Sequence, residues 1–192
     1  MDQAARVTIP LDKSWRLLNH GPTVLVSSAS GNRRNVMSAA WSMPLDFSPP
    51  KIAIVIDKAT LTRELVEASG EFALCIPPRT LATSVVWAGQ HSGRDVKGDK
   101  FAQAGLRTFP ATQIDAPLIE DCLGWLECKV IREPDVQGKY DLFLAEVVAA
   151  QADARIFQNG HWQQDAMSPR SIHYIAGGLF FETGEMFDTT PR

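Results

Sequence analysis

The stretch from residue 35 to residue 50, Asn-Val-Met-Ser-Ala-Ala-Trp-Ser-Met-Pro-Leu-Asp-Phe-Ser-Pro-Pro, constrains this chain more than any other. It leads directly into Lys-Ile-Ala-Ile-Val-Ile at 51–56, an apolar, β-branched run of the kind that fills a buried strand. The preceding stretch sits where a strand is expected. Yet it uses Asn, Ser, Ala and Trp where a plain barrel would use Val, Ile and Leu. Small and hydroxylic side chains let a flat polar ligand lie against the backbone. If 35–42 is one regular strand, Asn35, Met37, Ala39 and Trp41 share one face, and Ser38, Ala40 and Ser42 the other.

The rest of the chain supplies partners for such a strand. Residues 1–20 form a lead-in with a short amphipathic stretch. Residues 22–28 read as a strand, joined through the Gly/Asn turn at 29–34 to the strand opening at Asn35. Ser48-Pro49-Pro50 interrupts the ladder, because proline has no N–H to donate. Residues 52–56 form a third, central strand. Residues 60–69 have helical periodicity, with Leu61, Leu65, Val66 and Ala68 on one side and Gly70 as terminator. Residues 72–76 make a fourth strand, and Thr80 is placed to cap a second helix running to about Gly89. A polar loop at 91–98 precedes a helical turn at 99–105. Residues 122–132 form a long strand, 134–138 a turn, and 140–150 the antiparallel return. A short strand and turn follow at 155–162, and the closing segment 168–181 carries Gly177-Gly178 before Leu-Phe-Phe. Six or seven hairpin-linked strands with a short helical insertion predict a mainly β fold, an antiparallel barrel with inserted helices. It is expected to be one domain over 1–192, with a core at about 15–183.

Composition narrows the function. The chain has 192 residues, 45% of them hydrophobic, enough for a core without disulfides or metal. A net charge of −3, with acids and bases interspersed, leaves no basic footprint for nucleic acid. No apolar run approaches the roughly 18 residues of a membrane span, and the N-terminus lacks the apolar core of a signal peptide. Cys75, Cys122 and Cys128 show no CxxC spacing, so buried thiols in the cytoplasm are expected. Cys122 and Cys128, six apart, are expected on one strand face. The four histidines (20, 91, 161, 173) have no metal-ligand spacing, and no dinucleotide fingerprint, Walker loop or nucleophile elbow occurs.

Three places can carry chemistry. The turn at 57–62 joins a strand to a helix N-terminus, where free N–H groups and partial positive charge favour an anion. Lys58, Thr60 and Thr62 would complete a phosphate seat; equally, Thr60 can be a simple cap and Lys58 a solvated charge. On the neighbouring hairpin, Asn35, Ser38 and Trp41 can face a ligand, or Trp41 can belong to the core and Asn35 to a turn. Lys100, opening the helical turn before Phe101, can reach a ligand phosphate or stay at the surface.

In order along the chain stand Asn35-Val-Met-Ser-Ala-Ala-Trp41 with Pro49-Pro50, Thr60-Leu-Thr-Arg-Glu-Leu65, Ser92-Gly93 with Asp99-Lys-Phe101, Phe143-Leu-Ala-Glu-Val147, and Gly177-Gly-Leu-Phe180. This ordered set resembles the flavin reductase-like, FMN-binding split-barrel proteins, and among them the flavoredoxin-like branch. The resemblance implies a split β-barrel of antiparallel Greek-key type. It also implies a homodimer with FMN held non-covalently near the interface. By position, Asn35, Met37, Ser38 and Trp41 would line the flavin, and Lys58, Thr60 and Thr62 would hold its phosphate. Ser92, Gly93 and Lys100 would approach from the inserted loop, and Phe180 would pack near the ring. Tyr140 stands where many members of the family have a histidine. The implied activity is that of an oxidoreductase: an NAD(P)H-dependent flavin reductase, with NADH or NADPH as co-substrate and electrons passing to an acceptor such as a partner protein. No acid or base of the protein is then required, because the cofactor carries the redox chemistry. Two alternatives belong to the same barrel: a flavoredoxin-like electron carrier that never meets nicotinamide, and a relative that binds heme, pyridoxal or coenzyme F420.

Overall fold

The computed structural model describes residues 5–163, 165 and 167–189. In chain order the elements are β1 (Arg6–Thr8), α1 (Leu11–Ser14), β2 (Val24–Ser30), β3 (Arg33–Ala39), β4 (Ser42–Phe47), β5 (Pro50–Val55), α2 (Leu61–Ser69), β6 (Glu71–Ile76), α3 (Ala82–Gln90) and α4 (Lys100–Gln103). There follow β7 (Thr108–Phe109), β8 (Leu118–Ile119), β9 (Gly124–Ile131), α5 (Pro134–Tyr140), β10 (Leu142–Asp153), β11 (Phe157–Gln158), β12 (His161–Trp162), β13 (Ile172–Ala176) and β14 (Leu179–Glu182). The main sheet has eight antiparallel strands in the order β3-β2-β6-β9-β10-β5-β4, with β1 added to β10. Its two edge strands, β3 and β4, are neighbours in the chain, joined by Ala40 and Trp41 alone. A link that short spans only about 10 Å, so the sheet must curl until its edges nearly meet. No ladder joins them, and the barrel stays split along this seam.

The barrel interior is filled from β2, β5, β6, β9 and β10: Val24 and Val26, Ile52 and Ile54, Phe72 and Leu74, Leu126 and Cys128, Phe143 and Ala145. The period-2 alternation sends Leu25, Ala73, Cys75 and Trp125 to the outer face. There they pack under α3 and α4 against Val85, Ala88 and Phe101. Helix α2 starts where the Thr60 hydroxyl accepts from the Arg63 N–H (3.1 Å) and stops at Gly70, whose φ of +75° is the left-handed cap that glycine adopts without strain. Arg63 is buried and ties α2 to three other segments. It donates to Glu67 (2.5 Å), the Ile56 carbonyl (2.9 Å), Asp141 (3.2 Å) and the Gln137 carbonyl (3.0 Å), with its guanidinium over the Phe143 ring.

Several expectations need correction. The run from Asn35 is two strands, because the chain turns at Ala40-Trp41 to cross the seam, so the face shared by Asn35, Met37 and Ala39 ends before Trp41. Residues 134–140 form a helix with Pro134 in its first turn, a position where proline's missing N–H is no loss, and not a turn. Thr80 lies in a 3-10 turn and leaves α3 without a side-chain cap. Cys122 packs on the outer face and Cys128 inside the barrel, because β9 begins only at Gly124, so Cys122 lies outside the strand and the period-2 alternation does not link the two. All three cysteines are buried and free. Among the described residues no helix is long and apolar enough to cross a membrane, and no cluster of three or more His, Cys, Asp or Glu could hold a metal.

Candidate functional site

The seam carries a cleft of about 430 Å³. Its walls are the end of β3 with the Ala40-Trp41 link, the end of β5 with Asp57, the α3 face from Val85 to Gln90, and the β13–β14 hairpin through Tyr174, Gly178 and Phe180. As an edge strand, β3 lines the cleft with residues of both faces, Met37 and Ser38. It turns backbone N–H and C=O groups that no strand pairs toward the open side. The hairpin is seated by the Tyr174 N–H donating to the Thr23 hydroxyl (2.8 Å), and the Tyr174 and Phe180 rings meet edge to face at 5.3 Å. Trp41 stands at the rim, 76% exposed.

Helix α3 comes unusually close to β3. A Cβ on Gly89 would collide with the Ser38 hydroxyl, and one on Gly93 would collide with the Asn35 side chain and with Leu61. Both glycines therefore hold α3 and the loop after it flush against the strand that floors the cleft.

A second cleft, of about 580 Å³, opens beyond Gly93. It is lined by Asn32, Arg33 and Arg34 from the β2–β3 turn and the start of β3, by Leu61 at the α2 N-terminus, and by Gly93, Arg94, Gly98 and Asp99. Glu64 holds Arg33 (2.5 Å) and Arg94 (2.8 Å) side by side, and those two guanidiniums lower the pKa of its carboxyl. Arg34 pairs with Asp99 and donates to the Thr108 hydroxyl (3.2 Å).

The residues singled out in the sequence do not all come together. Met37, Ser38, Trp41 and Phe180 come together in the first cleft. Asn35 and Thr62 lie behind it, 2% and 0% exposed: the Asn35 amide nitrogen donates to the Thr62 hydroxyl (2.8 Å), while its Oδ1 has no hydrogen-bond partner. Thr60 is occupied as the α2 cap, its hydroxyl also donating to the Asp57 carbonyl (2.8 Å), and Lys58 is exposed on the same turn. Gly93 lines the second cleft, and the Ser92 hydroxyl accepts from the Arg94 N–H (3.2 Å). Lys100 is 4% exposed under α3, donating to the Ala88 carbonyl (2.9 Å), and burial without an acidic partner pulls its pKa down to about 8. Tyr140 ends α5, exposed and away from both linings. Sequence reasoning passed over Asp57, Gly89, Tyr174 and the three arginines. Of these, only the Arg33-Arg34 pair leaves a visible mark in the sequence, a doubled cation at a hairpin turn.

Comparison with known proteins agrees with this architecture. Residues 16–169 match the model of the flavin reductase like domain. The Escherichia coli K12 protein YddH is 45% identical over 183 residues, covering 93% of this chain and 95% of that one. A crystal structure described as an FMN-binding domain of a flavin reductases-like enzyme from Shewanella baltica OS155 is 43% identical, superposes with a TM-score of 0.95, and covers 99% of this chain and 100% of the other. Flavoredoxin of Desulfovibrio vulgaris (Miyazaki F) is 26% identical with a TM-score of 0.76, over 88% of this chain and 90% of its own. With most of its length matched by the domain model, the chain belongs to the flavin reductase-like family.

Proposed function

We propose that the protein is an FMN-binding oxidoreductase, a flavin reductase that takes hydride from NADH or NADPH and passes the electrons to an acceptor. The observation that carries the reading is the seam cleft. Its volume falls within the few hundred to a thousand Å³ usual for cofactor sites, and its walls suit a planar heteroaromatic ring. Met37, Val55, Val85 and Val86 give apolar surface. Ala39, Ala40 and Gly89 leave room for close approach, and the free edge of β3 offers backbone donors and acceptors to polar atoms on a ring's rim. Phe180 and Tyr174 close the side opposite α3. Bound there, FMN would accept hydride and release electrons, and the protein's part is to hold the ring, exclude water and leave one face open. Lys58 and the free N–H groups at the start of α2 lie one turn beyond Asp57, which lines the cleft, and favour an anion there.

The FMN-binding description of the Shewanella relative and the family membership support this reading. Anaerobic mixing of the FMN-loaded protein with NADH and with NADPH tests it. Bleaching of the flavin band within a catalytic time is expected with at least one of them. Bleaching by neither, in a protein that retains FMN, would move the assignment to an electron carrier of the flavoredoxin kind.

The same reading includes a homodimer in the cytoplasm. Along the edge strand β4, Met43, Leu45 and Phe47 expose one apolar row in line with Trp41, and Leu179, Phe181 and Phe187 add to the exposed apolar surface. A second copy covering that row is the occupant we favour, since surface of this kind is seldom left in water. Three unpaired thiols suit a reducing compartment.

A further inference from the structure

We infer that the arginine-lined second cleft is a phosphate-monoester site that takes the 2′-phosphate of NADPH and so sets a preference for NADPH over NADH. The inference rests on the proposed hydride transfer from a reduced nicotinamide. The two clefts share three walls. On β3, Met37 lines the first and Arg34 the second, three residues apart, or about 10 Å. On the β5–α2 connection the pair is Asp57 and Leu61, and after α3 it is Gln90 and Gly93. A dinucleotide with its nicotinamide in the seam can therefore run its adenosine end into the second cleft.

Three guanidiniums meet two carboxylates in and around the second cleft, which leaves an excess of positive charge. Each guanidinium has five N–H donors. Arg33 commits one donor group to Glu64, and Arg94 commits one to Glu64 and one to the Ala59 carbonyl, so both retain donors for a dianion. The shared carboxylate holds the two side chains close together, a pre-arranged pair for the bidentate geometry that phosphate favours. The site is also open: the Arg33, Arg34 and Arg94 side chains are 55%, 42% and 46% exposed. That suits a co-substrate that leaves after each turnover better than a retained cofactor, whose phosphate belongs nearer the seam, at the α2 N-terminus.

Calorimetry on the purified protein with adenosine 2′,5′-bisphosphate and with 5′-AMP tests the site without hydride transfer. The bisphosphate is expected to bind about tenfold more tightly, an advantage that Arg33→Ala and Arg94→Ala each reduce and Arg33→Lys partly keeps. In anaerobic flavin reduction, the double variant should raise the apparent Kd for NADPH by about tenfold more than that for NADH. Equal binding of the two adenylates, or variants that weaken NADH and NADPH alike, would overturn the inference while leaving flavin reduction standing. Variants that weaken FMN but not riboflavin would overturn it as well, by giving the cleft to the flavin's own phosphate. Failure of both nicotinamides to reduce the flavin, with the adenylate preference intact, would instead sink the proposed activity and leave the phosphate site.

Discussion

Gly89 of α3 lies so close above Ser38 of β3 that the serine hydroxyl occupies the space a Cβ on the glycine would need. The relation is selective, because the next atom of Ser38, its own Cβ, is 3.7 Å away, an ordinary contact. Gly89→Ala should therefore turn the Ser38 hydroxyl out of its present position at a cost of up to about 1 kcal/mol and change flavin retention through the moved hydroxyl. Ser38→Ala in the same chain removes the colliding atom and should restore most of the stability, a non-additivity that denaturant titration of the single and double variants measures. Gly93→Ala should find no such relief from one partner, since it meets both Asn35 and Leu61.

The Asn35–Thr62 hydrogen bond is buried, so Thr62→Val leaves the Asn35 amide nitrogen without its acceptor. A loss of about 1–3 kcal/mol is expected. Thr60→Val removes the α2 cap and should cost about 1 kcal/mol. Chemical denaturation checks both, and FMN titration of the folded variants shows how much of the effect reaches the cofactor.

Arg63 is the joint of the β5–α2 corner, bonding four partners over the Phe143 ring. Arg63→Met should cost about 3–5 kcal/mol, because the Asp141 carboxylate and the buried Ile56 carbonyl lose their donor together. Thermal melts of the variant would show a single lowered transition; an unchanged midpoint would mean that water replaces the guanidinium without loss.

His20 faces His173 with ring centroids 5.7 Å apart, packs on Trp162, and bonds the Ser171 hydroxyl at 2.9 Å. Burial, and secondarily the charge of His173, lower its pKa from 6.5 to about 4. The unfolded chain thus takes up a proton that the folded chain refuses. Stability is full above about pH 6.5 and falls as the pH drops toward 4, by up to about 3 kcal/mol. The unfolding free energy measured across that window should show the slope, and His20→Gln should flatten it.

The exposed row on β4 makes a test of assembly. Leu45→Asp with Phe47→Asp places two charges on surface a second subunit would cover, and should shift the protein toward monomer in sedimentation without unfolding it. A wild-type protein already monomeric at micromolar concentration would remove the dimer from the proposed function.

The barrel was legible in the sequence because its signals are local: the β-rich runs at 22–28 and 140–150, Gly31 in a hairpin turn, the Thr60 cap and the Gly70 stop. The break between β3 and β4 was not, because Ala40-Trp41 carries neither glycine nor proline and turns only to let the sheet close. Helix α5 was hidden by a Pro-Asp opening that reads as a turn. Among site residues, Met37, Ser38, Trp41 and Phe180 could be grouped from the order of motifs. The arginine cleft could not, since Arg33, Arg34 and Arg94 converge only after the chain has placed α2 between them. Gly89 read as the end of a helix, and its role depends on how near that helix lies to β3.

The seam and the cleft are one and the same opening. Whatever occupies the space beside Ala40-Trp41 touches β3 on one side and the end of β5, to which β4 is paired, on the other. An occupant therefore works like a stitch, and pulling it out loosens both margins at once. Amide exchange in β3 and β4 should slow together on loading and quicken together on release, although no hydrogen bond joins these two strands.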